Sequence, residues 1–177
     1  MAKLILNGAT SGSISLESPA VSGTTTLTLP ATTGTVLTTT SPKAGNVIQV
    51  VNATTSTGSS TTSTSFVASN LTASITPTSS SSKILVLVSG VGYATALNYA
   101  YYTIARGTTV LSSGSSGLSA LYNNDGSVPI SMFWLDSPAT TSSTSYTAYF
   151  KRGASGTAYF IENINGTGVI TLMEIAG

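Results

Sequence analysis

Apolar residues along this chain come in short, β-branched runs bounded by Gly, Pro, Asn or Ser, and no window sustains the i, i+3, i+4, i+7 spacing of an amphipathic helix. The pattern predicts an all-β protein. Between Met1 and Thr40 it predicts short strands at residues 4–6, 13–16, 24–29 and 35–38, separated by Asn7-Gly8, Ser11-Gly12, Pro19, Ser22-Gly23, Pro30 and Gly34. The alternation Thr26, Leu27, Thr28, Leu29 places leucines on one face and threonines on the other. Strands this short cannot build an independent core, so Leu4, Ile5, Leu6, Ile14, Leu16, Leu27 and Leu29 are expected at contacts with other chains.

Residues 38–45, TTTSPKAG, hold Pro42 among small residues and read as a joint. The expected organisation is a docking or trimerisation β region over residues 1–41 and a head domain over residues 46–177. In the head, strands are expected at 46–51, 65–67, 71–76, 83–91, 97–105, 108–111, 118–122, 128–135, 144–151, 157–162 and 168–175. The polar stretch 52–65 is either a long exposed loop or a flat edge strand. Ile84, Leu85, Val86, Leu87 and Val88 in an unbroken row predict a strand buried on both faces. The apolar run from Val169 to Ile175 predicts a central final strand, because terminal strands are ordered when tied into a sheet. Eight or more strands in about 130 residues is the number a jelly-roll-like β-sandwich needs.

Composition narrows the function. Only 6% of the 177 residues are charged, the net charge is +1, and histidine and cysteine are absent, while Ser and Thr fill about a third of the positions. Without histidine, no Ser-His-Asp relay can be assembled, and soft-metal sites lose their usual ligands. No cofactor is expected, no glycine loop cradles phosphate, and the six scattered Lys and Arg residues give no footprint for nucleic acid. The run Leu4, Ile5, Leu6 is too short for a signal peptide or a membrane span, so synthesis in a cytoplasm without membrane insertion is expected. So little charge leaves two routes to a stable surface: hydroxyl groups, or burial against identical copies.

The acids are Glu17, Asp125, Asp136, Glu162 and Glu174. Asp125 before Gly126 and Asp136 at the start of a loop are placed for local backbone hydrogen bonding, which outweighs a catalytic reading. Asn123, Asn124 and Asp125 supply three oxygen-bearing side chains in a row, although a tight turn explains them better than a calcium site. All of the aromatics lie in the head. Tyr99 and Tyr101 share one face of their strand and Tyr102 takes the other, which suits core or interface packing and leaves a sugar-binding platform as the lesser reading.

The block MAKLILNGATSGSISLESPAVSGTTTLTLPATTGTVLTTT, followed by the proline joint, GNVIQVV, a Ser/Thr stretch, SKILVLVS and an apolar last strand, resembles tailed-bacteriophage virion surface proteins, both capsid-decoration proteins and short tail fibres. The resemblance covers most of the chain and implies a trimeric jelly-roll head similar to those of tumour necrosis factor and C1q. It implies a non-enzymatic homotrimer at the virion surface, with the major capsid protein as partner for a cement protein. For a fibre, it implies tail proteins and a host surface glycan. Some 40 residues of stalk span at most about 130 Å, and no heptad shaft is present, which favours the cement reading. A fibre would place ligand contacts in head loops, at Ser115, Asn123, Asn124, Asp125 and Asp136.

Overall fold

The computed structural model describes residues 3–17, 21, 23–24, 26, 31, 42–96, 98–112, 114–123, 126–161 and 166–177. The expected strand at 35–38 and, apart from Thr24 and Thr26, that at 24–29, with Leu27 and Leu29, lie outside the described residues. Contacts divide the chain into two compact units, Met1–Val36 and Leu37–Gly177.

In the first unit, β1 (Lys3–Asn7) and β2 (Ser13–Glu17) form an antiparallel hairpin. Gly12 takes φ 78°, a left-handed conformation that glycine adopts without a Cβ clash, and Gly8 N–H donates to the Gly12 carbonyl to close the turn. Leu6 pairs with Ile14 and Leu4 with Leu16, so the pleat gathers these four positions on one side of the ribbon.

The second unit is all strand and turn among the described residues. Its elements are β3 (Val47–Thr55), β4 (Ser59–Thr61), β5 (Val67–Ile75), β6 (Lys83–Ala94), β7 (Asn98–Arg106), β8 (Thr109–Val110), β9 (Ser119–Asn123), β10 (Val128–Asp136), β11 (Thr144–Arg152), β12 (Ala158–Phe160) and β13 (Gly168–Ile175). One sheet runs β3-β13-β6-β10, with β12 and β4 continuing it beside the far half of β6. The other runs β5-β11-β7, with β8 and β9 sharing the outer edge of β7. Counted in chain order, the eight principal strands β3, β5, β6, β7, β9, β10, β11 and β13 fall as first-eighth-third-sixth and second-seventh-fourth-fifth. This order is the double Greek key of a jelly roll. The last strand is central, paired to β3 on one side and β6 on the other.

Three expectations require correction. Residues 84–88 are not buried on both faces: Ile84, Val86 and Val88 enter the core, whereas Leu85 is half-buried and Leu87 exposed. A sheet covered on one side imposes alternation even on an unbroken apolar run. The polar stretch 52–65 is neither one loop nor one strand. β3 continues through its first residues, and β4 forms a short edge against β12. The expected strands at 65–67 and 71–76 merge into one, β5 (Val67–Ile75), because Ala68, Ser69 and Asn70 continue its alternation, with Ser69 buried and Asn70 exposed.

The core lies between the two sheets and grades from aliphatic to aromatic. On the inner side of β6, Ile84, Val86 and Val88 give way to Gly90, Gly92 and Ala94. A Cβ on Gly90 would come within 2.8 Å of the Phe160 ring, and one on Gly92 within 2.5 Å of the Tyr102 hydroxyl. The glycines therefore make room for the buried rings of Tyr102, Phe150 and Phe160, whose centroids lie 5.6–6.4 Å apart. The Tyr102 hydroxyl crosses the sandwich and donates to the Tyr159 carbonyl at 2.8 Å.

Candidate interaction surfaces

The outward side of the first sheet is unusually apolar for a surface. Alternation on β10 sends Ile130 and Met132 inward and leaves Phe133 and Leu135 outside, where Phe133 is 72% exposed. Register aligns them with neighbours of the same character. Leu135 stands opposite Leu85, Leu85 opposite Met173 and Met173 opposite Val50, which makes one apolar row across four strands. In the next row Phe133 meets Leu87, which meets Thr171. A shallow groove of about 280 Å³ runs between Leu87, Ser89, Phe133 and Val169. The strands β3, β6, β10 and β13 carry three charged residues, and two of them, Asp136 and Glu174, are buried. Only Lys83, at the sheet margin, reaches water. An apolar, uncharged face of this kind is a candidate for macromolecular contact.

The outward side of the second sheet differs in chemistry. Tyr99 and Tyr122 are paired residues on β7 and β9, with ring centroids 4.8 Å apart. Tyr99 and Tyr101, two residues apart on one face, hold their rings parallel within 5° at 5.8 Å. Lys151, paired with Tyr101 on β11, places its ammonium 5.4 Å from the Tyr101 ring and 4.7 Å from that of Phe66. Farther along the same sheet, opposite Ala105, Thr147 donates to Thr72 at 2.9 Å. The aromatic residues thus separate by strand parity. Tyr102, Tyr146, Phe150 and Phe160 pack the core, while Tyr99 and Tyr122 meet solvent at 47% and 60% exposure.

Of the expected ligand-loop residues, Ser115 is exposed in the turn before β9. Asn124 and Asp125 lie outside the described residues, as does the side chain of Asn123, whose backbone ends β9. Asp136 must be corrected. It is 7% exposed at the inward end of β10, and its partners are distant in sequence rather than local. Arg106 Nη1 donates to both carboxylate oxygens, at 3.0 and 2.8 Å, and the Tyr146 hydroxyl donates to Oδ2 at 2.7 Å. Because β10 belongs to one sheet and Arg106 and Tyr146 to the other, this group ties the sandwich together. Burial and then the adjacent carboxylate push the Tyr146 hydroxyl far above the usual tyrosine range.

Glu174 is a second inward carboxylate, fully buried on β13. Gln49 Nε2 donates to it at 2.5 Å, and Thr78 donates through its backbone N–H at 2.7 Å and its hydroxyl at 2.8 Å. Burial opposes its ionisation, but the hydrogen bonds outweigh that effect and hold the carboxyl below its ordinary value. Asp136 and Glu174 flank Ile84 on adjacent strands, and each is committed to structural partners. No group of three His, Cys, Asp or Glu residues converges as a metal site among the described residues.

In the first unit, Leu4, Ile5, Leu6 and Ile14 are each more than half exposed on the described hairpin, while the side chain of Leu16 lies outside the described set. No protein-family model and no curated protein matches the chain.

Proposed function

We propose that this protein is a non-enzymatic structural component of a tailed-phage virion, a homotrimeric cement protein that docks on the capsid shell through its N-terminal β region. The observation that carries the reading is the uncharged apolar face of the first sheet, from Val50 through Met173 and Leu85 to Leu135. A lone copy would expose this face to water. Three copies arranged about an axis bury it in a closed ring, as a head-to-tail interface with three-fold rotation allows. The exposed Leu4, Leu6 and Ile14 supply a second apolar surface for the shell. Docking would repeat with the symmetry of the capsid, so modest contacts add through avidity.

The inward placement and hydrogen bonding of Asp136 and Glu174 support a structural role over a hydrolytic one, since neither carboxylate is open to a substrate. The tyrosine ladder on the second sheet favours one other reading, a short tail fibre that adheres to a host surface glycan. Immunogold labelling of intact particles with antibody to residues 46–177 tests both. A regular array over the head is expected for cement, and label at the tail tip indicates a fibre. Unlabelled particles overturn the virion assignment.

A further inference from the structure

We infer that the outer face of the second sheet is a carbohydrate-binding platform, on which a sugar ring packs against Tyr99 and Tyr122 beside the Lys151 ammonium. This deepens the glycan-binding reading above and rests on it for its biological setting. Three observations carry it. First, parity frees these rings from the core: Tyr102 points inward between Tyr101 and Thr103, and the aromatic interior is complete without Tyr99 or Tyr122.

Second, the rings are mutually ordered. Tyr122 lies 4.8 Å from Tyr99, and Tyr99 lies parallel to Tyr101. Neighbouring rings restrict one another's rotamers, so less freedom is lost when a ligand settles on them. Third, the chemistry of this face suits a sugar better than another copy of the chain. Its exposed rings are tyrosines with polar tips, whereas the opposite face centres on Phe133, Leu87 and Leu135, which carry no polar atom in their side chains. A pyranose likewise presents an apolar C–H face within a rim of hydroxyl groups. Lys151, held over Phe66 and Tyr101, offers three N–H donors to that rim. The strands of this sheet contain no carboxylate, so a carboxylate-bearing sugar meets no repulsion from them.

The test is binding of the 177-residue chain to an array of purified bacterial capsular and lipopolysaccharide O-chain polysaccharides, both neutral and uronate-containing. We expect binding to at least one of these, weakened about tenfold or more by the pair Tyr99→Ala and Tyr122→Ala. The pair Tyr99→Phe and Tyr122→Phe retains the rings and is expected to stay within a few-fold of the parent. Absence of binding across the array, or binding indifferent to the alanine pair, overturns the platform. So does a change in oligomer mass in the alanine pair without a separate loss of glycan binding, which would make the face a contact between copies. Particle labelling is independent of these results: a labelled particle whose protein binds no glycan defeats the platform alone, and a glycan-binding protein missing from particles defeats the virion reading alone.

Discussion

Leu87 and Phe133 stand directly opposite each other on β6 and β10, and both side chains point away from the core, 37% and 72% exposed. Cross-strand pairs of this type stabilise a sheet through mutual contact, but here much of the apolar surface still faces water. The pair marks the centre of the face assigned to self-association. Phe133→Lys is therefore expected to dissociate the oligomer while changing the stability of the individual fold by no more than about 1 kcal/mol. Sedimentation velocity alongside circular dichroism separates these effects.

Asp136, Arg106 and Tyr146 join the two sheets at one end of the sandwich. Removing a partner from a well-buried ion pair destabilises by about 3–5 kcal/mol. Arg106 retains access to solvent, so Asp136→Ala is expected at about 2–3 kcal/mol, below that range. Tyr146→Phe keeps the ring in place and loses only the bond to the carboxylate, an effect of about 1.5–3 kcal/mol. Chemical denaturation midpoints measure both, and a fall of less than about 0.5 kcal/mol for Asp136→Ala would remove this group from the account of stability.

The Glu174 carboxyl sits below its ordinary value in the folded chain. Its ionised form consequently contributes stability above the unfolded carboxyl value of about 4.3, and that contribution disappears as pH falls through the lower folded value. Glu174→Gln should be destabilised near neutrality and lose less further stability on acidification than the parent. Denaturant midpoints at about pH 6 and about pH 3 provide the comparison, and parallel losses in parent and variant would contradict it.

A fourth expectation concerns the glycines of β6. A Cβ at position 92 would approach Ile130 Cγ1 at 2.7 Å and Leu121 Cδ2 at 2.8 Å, besides the Tyr102 hydroxyl. Gly92→Ala is thus expected to destabilise by about 1–3 kcal/mol through overpacking. Combination with Tyr102→Phe should be less than additive, because removing the hydroxyl clears the nearest clash. Full additivity in a double-mutant cycle would place the strain elsewhere.

The sequence made the sandwich legible because strand rhythm and turn chemistry agree along most of the head. The turn at Arg106-Gly107 and the apolar run from Val169 to Ile175 appear where expected. The division of faces was harder to read. The run Ile84 to Val88 has no polar residue to mark its solvent side, and its polarity is assigned only by the alternation of β10 and β13 on either side. Asp136 reads locally as a loop residue because its partners lie 30 positions before it and 10 after. The parity of Ile130 and Met132 was the signal that it points inward. The same parity argument separated Tyr102 from Tyr99 and Tyr101. No local pattern announced the apolar rows, since they arise from register among four strands distant in sequence.

The most direct measurement of the central claim is the native mass of the purified 177-residue chain, taken together with that of Phe133→Lys. Burial of the first sheet's outer face among three copies gives a single species of three times the 17.8 kDa chain mass, which Phe133→Lys reduces to one chain. A stable, well-folded parent monomer at micromolar concentration would contradict the account, as would a trimer that Phe133→Lys leaves intact.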